Sequence, residues 1–168
     1  MRRLFLFLFV TLVSISLQAQ LSKTEKKITS YVEANNTNAL KLLEETVNIN
    51  SGSMNFEGVY KVGQIFKAKL DALGFDTRWV DGKPFGRAGH LMAYHTDKGP
   101  GKTLLLIGHL DTVFEPSSTL QKYTLVNDST ATGPGVSDMK GGDVIIIYSL
   151  EALKQAGLLK QMNIIVVM

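Results

Sequence analysis

Two apolar runs, Thr103–Ile107 and Asn163–Met168, constrain this chain more than any other feature. Neither alternates with polar residues, as expected of strands buried on both faces of a sheet. Between them Gly141–Ala156 reads as a strongly apolar helix (Val144, Ile145, Ile147, Tyr148, Leu150 and Leu153), and Gly157 follows as a stop signal. Strands separated by helices of this kind predict an α/β protein, a mixed sheet flanked by helices.

The preceding residues agree. Thr24 to about Val47 reads as helix, with Ile28, Tyr31 and Val32 on one face. Leu40, Leu43 and Val47 form another face after the polar break Asn35–Asn38. A second helix, from about Glu57 to Leu73, carries Val59, Val62, Phe66, Leu70 and Leu73, and Gly74 stands where a left-handed cap belongs. Phe75–Val80 and Gly89–Tyr94 read as strands, and Tyr123–Val126 with Ala131–Thr132 as a short hairpin.

The first residues read as an address. Arg2 and Arg3 precede the apolar stretch Leu4–Leu17, about 14 residues long, and a small residue, Ala19, follows. That is the pattern of a secretory signal peptide over 1–19, and the run is short of the roughly 20 residues a spanning helix needs. We therefore expect export to the periplasm or the extracellular space without a stable membrane anchor. Residues 20–168 would form the working part. Removing Arg2 and Arg3 from 18 basic residues leaves 16 against 15 acidic ones, and no basic stripe with interleaved aromatics occurs. Nucleic acid is not an expected partner. No cysteine is present, so a metal would be held by His and carboxylates.

Two segments carry chemistry. His109-Leu110-Asp111 follows the run Thr103–Ile107 directly, and residues two apart on an extended chain point to the same side. An imidazole and a carboxylate are thus presented together. Alone, such a pair reads more readily as the polar start of a loop. The second segment, Gly133–Gly142, holds four glycines and a proline around Asp138. Alone, it reads as a helix entry with Asp138 as the N-terminal cap. Gly135-Val136-Ser137 begins like a nucleophile elbow, but the closing glycine is missing and a serine hydrolase is not supported. His90 and His95 precede the motif strand and should face opposite sides of their own strand.

In order, Gly108–Val113 and Gly133–Gly142 resemble the metal-binding signature of the dizinc peptidase family that includes glutamate carboxypeptidases, aminoacylases and succinyl-diaminopimelate desuccinylases. The resemblance runs from about Leu40 onward and is nearest the glutamate carboxypeptidase branch. It implies that His109 ligates one zinc, that Asp138 bridges two, and that Asp111 steers His109 and supports catalysis. Cobalt or manganese would also suit such donors. It further implies hydrolysis of a peptide or amide bond beside a free-carboxylate residue, in a small peptide or N-acyl amino acid. A homodimer through an inserted domain, absent from these residues, is also implied. The resemblance also calls for an adjacent Glu-Glu pair just after the strand matching Asn163–Met168, a further acidic ligand and a distant C-terminal His, none of which this chain supplies at those places. The expectation is therefore the N-terminal portion of a catalytic domain, inactive by itself. The competing reading is a secreted, truncated module without catalysis.

Overall fold

A computed structural model describes residues 20–168. The signal-peptide reading of 1–19 lies outside the described residues. Helix α1 spans Lys23–Val47 and opens with a capping box: Ser22 Oγ accepts from the Glu25 N–H, and Glu25 accepts from the Ser22 N–H. The helix runs unbroken through Asn35–Asn38, where Asn35 Nδ2 donates to the Tyr31 carbonyl one turn back. Its expected apolar faces are only partly used. Leu42, Thr46 and Val47 are buried, whereas Val32 and Leu40 are exposed.

Helix α2 (Phe56–Leu73) buries Val59, Val62, Phe66, Leu70 and Leu73, the predicted stripe, and ends at Gly74 with φ 93°. Strands β1 (Asp76–Asp81), β2 (Gly89–His95) and β3 (Thr103–Ile107) follow, then the hairpin β4 (Thr124–Asn127) and β5 (Thr130–Thr132). A wide π-type turn over Val136–Lys140 leads into helix α3 (Gly141–Gln155), and β6 (Asn163–Val167) closes the order.

The main sheet has the order β1-β2-β6-β3. β1 and β2 pair antiparallel, as do β2 and β6, while β3 lies parallel to β6. The sheet is therefore mixed and flanked by helices, as expected. Leu91, Ala93, Ile164 and Val166 join the buried residues of the helices in one core. Their neighbours Met92, Tyr94, Ile165 and Val167 lie half-buried on the other face.

One expectation fails. β3 is not covered on both faces: it is an edge strand, with Leu104, Leu105 and Ile107 exposed. An uninterrupted apolar run shows that a strand tolerates burial; which strand takes the edge depends on pairing, and here β6 takes the interior position. Among the described residues no helix is long and apolar enough to cross a membrane.

Candidate metal site

His109 and Asp111 emerge where β3 ends beside β6, Gly108 being held by its N–H to the Val167 carbonyl at 2.8 Å. His109 Nδ1 lies 3.0 Å from the Asp111 carbonyl and 3.3 Å from Asp111 Oδ1. Both contacts favour the tautomer with its proton on Nδ1, which leaves Nε2 as the lone-pair atom. Nε2 sits 3.0 Å from Asp138 Oδ1. The two sequence motifs, 29 residues apart, thus meet through these atoms.

Asp138 is not a helix cap. The residue at the N-terminal boundary of α3 is Lys140, which makes no side-chain capping bond. The Asp138 carboxylate is 88% exposed and turned toward His109. Gly135 makes this turn possible: its φ is 74°, and a Cβ there would lie 2.6 Å from Thr112 Cγ2. The Asp138 turn therefore packs directly against the residue after Asp111. The Asp138–Met139 peptide bond is cis.

Burial of the His109 ring opposes its protonation, but the Asp138 carboxylate, the Asp111 carbonyl and the charge of both acids outweigh it and raise its pKa. That direction describes the pair well. A basic nitrogen facing an anion at 3.0 Å requires something positive between them, either a proton or a metal cation. Donors each about 2.0–2.1 Å from a tetrahedral zinc stand roughly 3.3 Å apart. The observed separation is within a few tenths of an ångström of that, so the pair fits a zinc ion. Asp111 Oδ2 accepts a 2.5 Å hydrogen bond from Ser53 Oγ.

His90 and His95 do not join the site as a pair. His95 is buried, with Nδ1 2.9 Å from the Met162 carbonyl and its ring against Phe75, while His90 is exposed on the opposite face of β2. A cavity of about 320 Å³ that includes Ser53, His90, His109 and Asp111 borders the pair. A second of about 490 Å³ lies on its Asp138 side. Among the described residues no group of three or more His, Cys, Asp or Glu side chains surrounds a metal position.

Two charged residues were missed by sequence reasoning. Lys140 is fully buried, its Nζ donating to the carbonyls of Thr46 at 2.8 Å and Ile49 at 3.0 Å. Burial drives its pKa down to about 8, against the opposing pull of Asp143. Asp143, in the first turn of α3, is also fully buried, and neither oxygen has a hydrogen-bond partner. Burial pushes its carboxyl up to about 7, although His109 and Lys140 both favour the charged form. A charge inside an otherwise apolar helix entry was the only available signal.

Residues 105–168 match the model of peptidase family M20/M25/M40. Over 118 residues the chain is 33% identical to carboxypeptidase G2 of Pseudomonas sp. (strain RS-16), a match covering 70% of this chain and 28% of that protein. Among solved structures it is similar to human carnosine dipeptidase 1, with TM-score 0.70 and 21% identity over 84% of this chain and 33% of that one. The di-peptidase Dug1p from Saccharomyces cerevisiae gives 0.69 and 18% over the same shares. The chain thus spans about a third or less of each of these three proteins. By sequence the chain is similar to peptidases of that family, and by fold to the solved dipeptidases. More narrowly, it resembles the M20 peptidases, by sequence over 105–168 and by fold over most of the described residues.

Proposed function

We propose that this chain supplies two of the metal-facing arms of a zinc-dependent hydrolase that cleaves a peptide or amide bond beside a free-carboxylate residue. The 3.0 Å approach of His109 Nε2 to Asp138 Oδ1, with Nδ1 already engaged by Asp111, carries this reading. His109 would ligate one zinc through Nε2, and Asp138 would bridge a pair, since no other protein group bonds its carboxylate among the described residues. When bound, such a pair polarises a carbonyl and brings the pKa of a shared water toward neutrality. Asp111 fixes the His109 proton on Nδ1 and is itself held by Ser53. Its carboxylate borders both cavities beside the pair, where it can support proton movement.

Small peptides or N-acyl amino acids are the proposed substrates, and carboxypeptidase G2 is the relative that suggests the carboxylate preference. Cobalt or manganese would satisfy the same donors. We read residues 1–19 as an export signal, residues 20–168 as the N-terminal portion of the catalytic domain, and the whole protein as a homodimer.

A second reading has its own support. The described residues assemble two ligands, whereas catalytic zinc sites generally use three from the protein. Residues 20–168 alone are therefore proposed to be inactive. Zinc titration of the whole protein, followed by hydrolysis assays on dipeptides and N-acyl amino acids with and without chelator, tests both. Chelator-reversible turnover by the whole protein and none by residues 20–168 is expected. Turnover unaffected by complete metal removal would sink the zinc-dependent reading.

A further inference from the structure

The two arms of the proposed metal site meet at His109 and Asp138, and each is tied besides to the same short stretch of chain. On one side, Lys140, two residues beyond Asp138, reaches across 94 positions of sequence to the Thr46 carbonyl in the last turn of α1, and to the Ile49 carbonyl just past its end. α1 has no basic residue in its own last turn, and its terminal carbonyls carry the negative end of the helix dipole. The Lys140 ammonium supplies the missing cation, entirely inside the protein. On the other side, Ser51–Ser53 grips the chain next to His109. The Thr112 N–H donates to the Ser51 carbonyl at 2.8 Å, and the Ser53 N–H to the Thr112 carbonyl at 3.0 Å. Ser53 Oγ then donates to Asp111 Oδ2.

We propose that Thr46–Ser53 is the common frame of the metal site, with Lys140 and Ser53 as positioning residues that set the His109–Asp138 separation. This rests on the reading of that pair as metal ligands. Metal sites tolerate deviations of about 0.2 Å in ligand distance, so a site assembled from two distant loops needs rigid support for each. Both ties end within two residues of a ligand. Both meet on eight consecutive residues, which Asn50 pins further by donating to the Phe114 carbonyl at 3.0 Å and to Gln121 Oε1 at 2.7 Å. Loss of either tie frees one arm while leaving both ligands chemically intact.

The test is a Co2+ titration of the metal-free whole protein, followed by the visible absorption of the bound ion, with thermal melting in parallel. Lys140→Met and Ser53→Ala are each expected to weaken Co2+ binding about 10- to 100-fold, the usual cost of losing an outer-shell partner, and to change the band shape. Ser53→Thr, which keeps the hydroxyl, should restore both. Leu150→Ala, a core change in α3, should lower the melting temperature and leave the Co2+ spectrum unchanged. If Lys140→Met does not fold, Ser53→Ala with its Ser53→Thr rescue decides the question. Wild-type binding with unchanged affinity and spectrum in the folded variants overturns the frame alone. Failure of the wild type to take up Co2+ overturns the metal-site reading and the frame with it.

Discussion

His109 Nε2 and Asp138 Oδ1 stand 3.0 Å apart, although the segments that carry them are separated by a hairpin and a glycine-rich turn. Neither side chain is needed for the core: the imidazole is 44% exposed and the carboxylate 88%. Removing either should therefore cost little stability and nearly all metal binding. His109→Ala and Asp138→Ala in the whole protein are expected to keep the melting temperature of the metal-free form within a few degrees. Zinc affinity by calorimetry should fall by more than about 100-fold.

Asp111 has two distinguishable duties. Its backbone carbonyl, 3.0 Å from His109 Nδ1, survives any substitution, while its carboxylate, at 3.3 Å, does not. Asp111→Asn should thus leave the ring oriented, and metal affinity should fall by only about 10-fold. Turnover should fall much further if the carboxylate moves protons. Equal losses in affinity and kcat would show that it acts through the metal alone.

Asp143 makes metal-free stability depend on pH in an unusual direction. Its carboxyl titrates near 3.8 unfolded and at about 7 folded, so between those values the folded state keeps a proton the unfolded state has released. Stability from this group is greatest below about pH 4 and declines until about pH 7, by at most about 1.4 kcal/mol over each pH unit. His109, raised above 6.5, loses its contribution as pH rises through its folded value, in the same direction. Urea midpoints between about pH 4 and 7 for wild type and Asp143→Asn separate the two. The variant should lose most of the slope.

Gly108 and Asp143 occupy each other's space. A Cβ at Gly108 would fall 2.0 Å from Asp143 Oδ1, and the Asp143 side chain is short and fully buried. Gly108→Ala should destabilise the fold by about 1–3 kcal/mol. Adding Asp143→Ala should return part of that loss. Additive losses in a double-mutant cycle would contradict the steric account.

The open edge of β3 makes a prediction about the 168-residue chain itself. Leu104, Leu105 and Ile107 lie exposed on a strand whose outer backbone groups pair with no other strand among the described residues. Such an edge recruits further strands. The purified chain should self-associate in light scattering, and Leu105→Lys should reduce the associated fraction. A monodisperse wild-type chain would argue against edge pairing.

What the sequence determined by itself was local. Helical spacing of Val59, Val62, Phe66, Leu70 and Leu73 placed α2, Gly74 ended it, and the apolar run Asn163–Met168 became β6. His109 and Asp111 were legible at a strand end, and Asp138 in a glycine-rich turn before a helix. These signals depend on neighbours a few residues away, where periodicity and backbone preference act. Tertiary structure decided the rest, because it depends on contacts between residues far apart in sequence. Pairing order put β3 at the edge despite its apolar composition. The meeting of α1 with the Asp138 turn buried Lys140, and the packing of α3 beneath Gly108 left Asp143 without a partner. Ser53 became part of the site only because Gly52 and Thr112 pair as neighbouring strands do. No spacing rule joins Thr46, Ser53, Asp111 and Lys140, since only the folded path of the chain sets the distances between them.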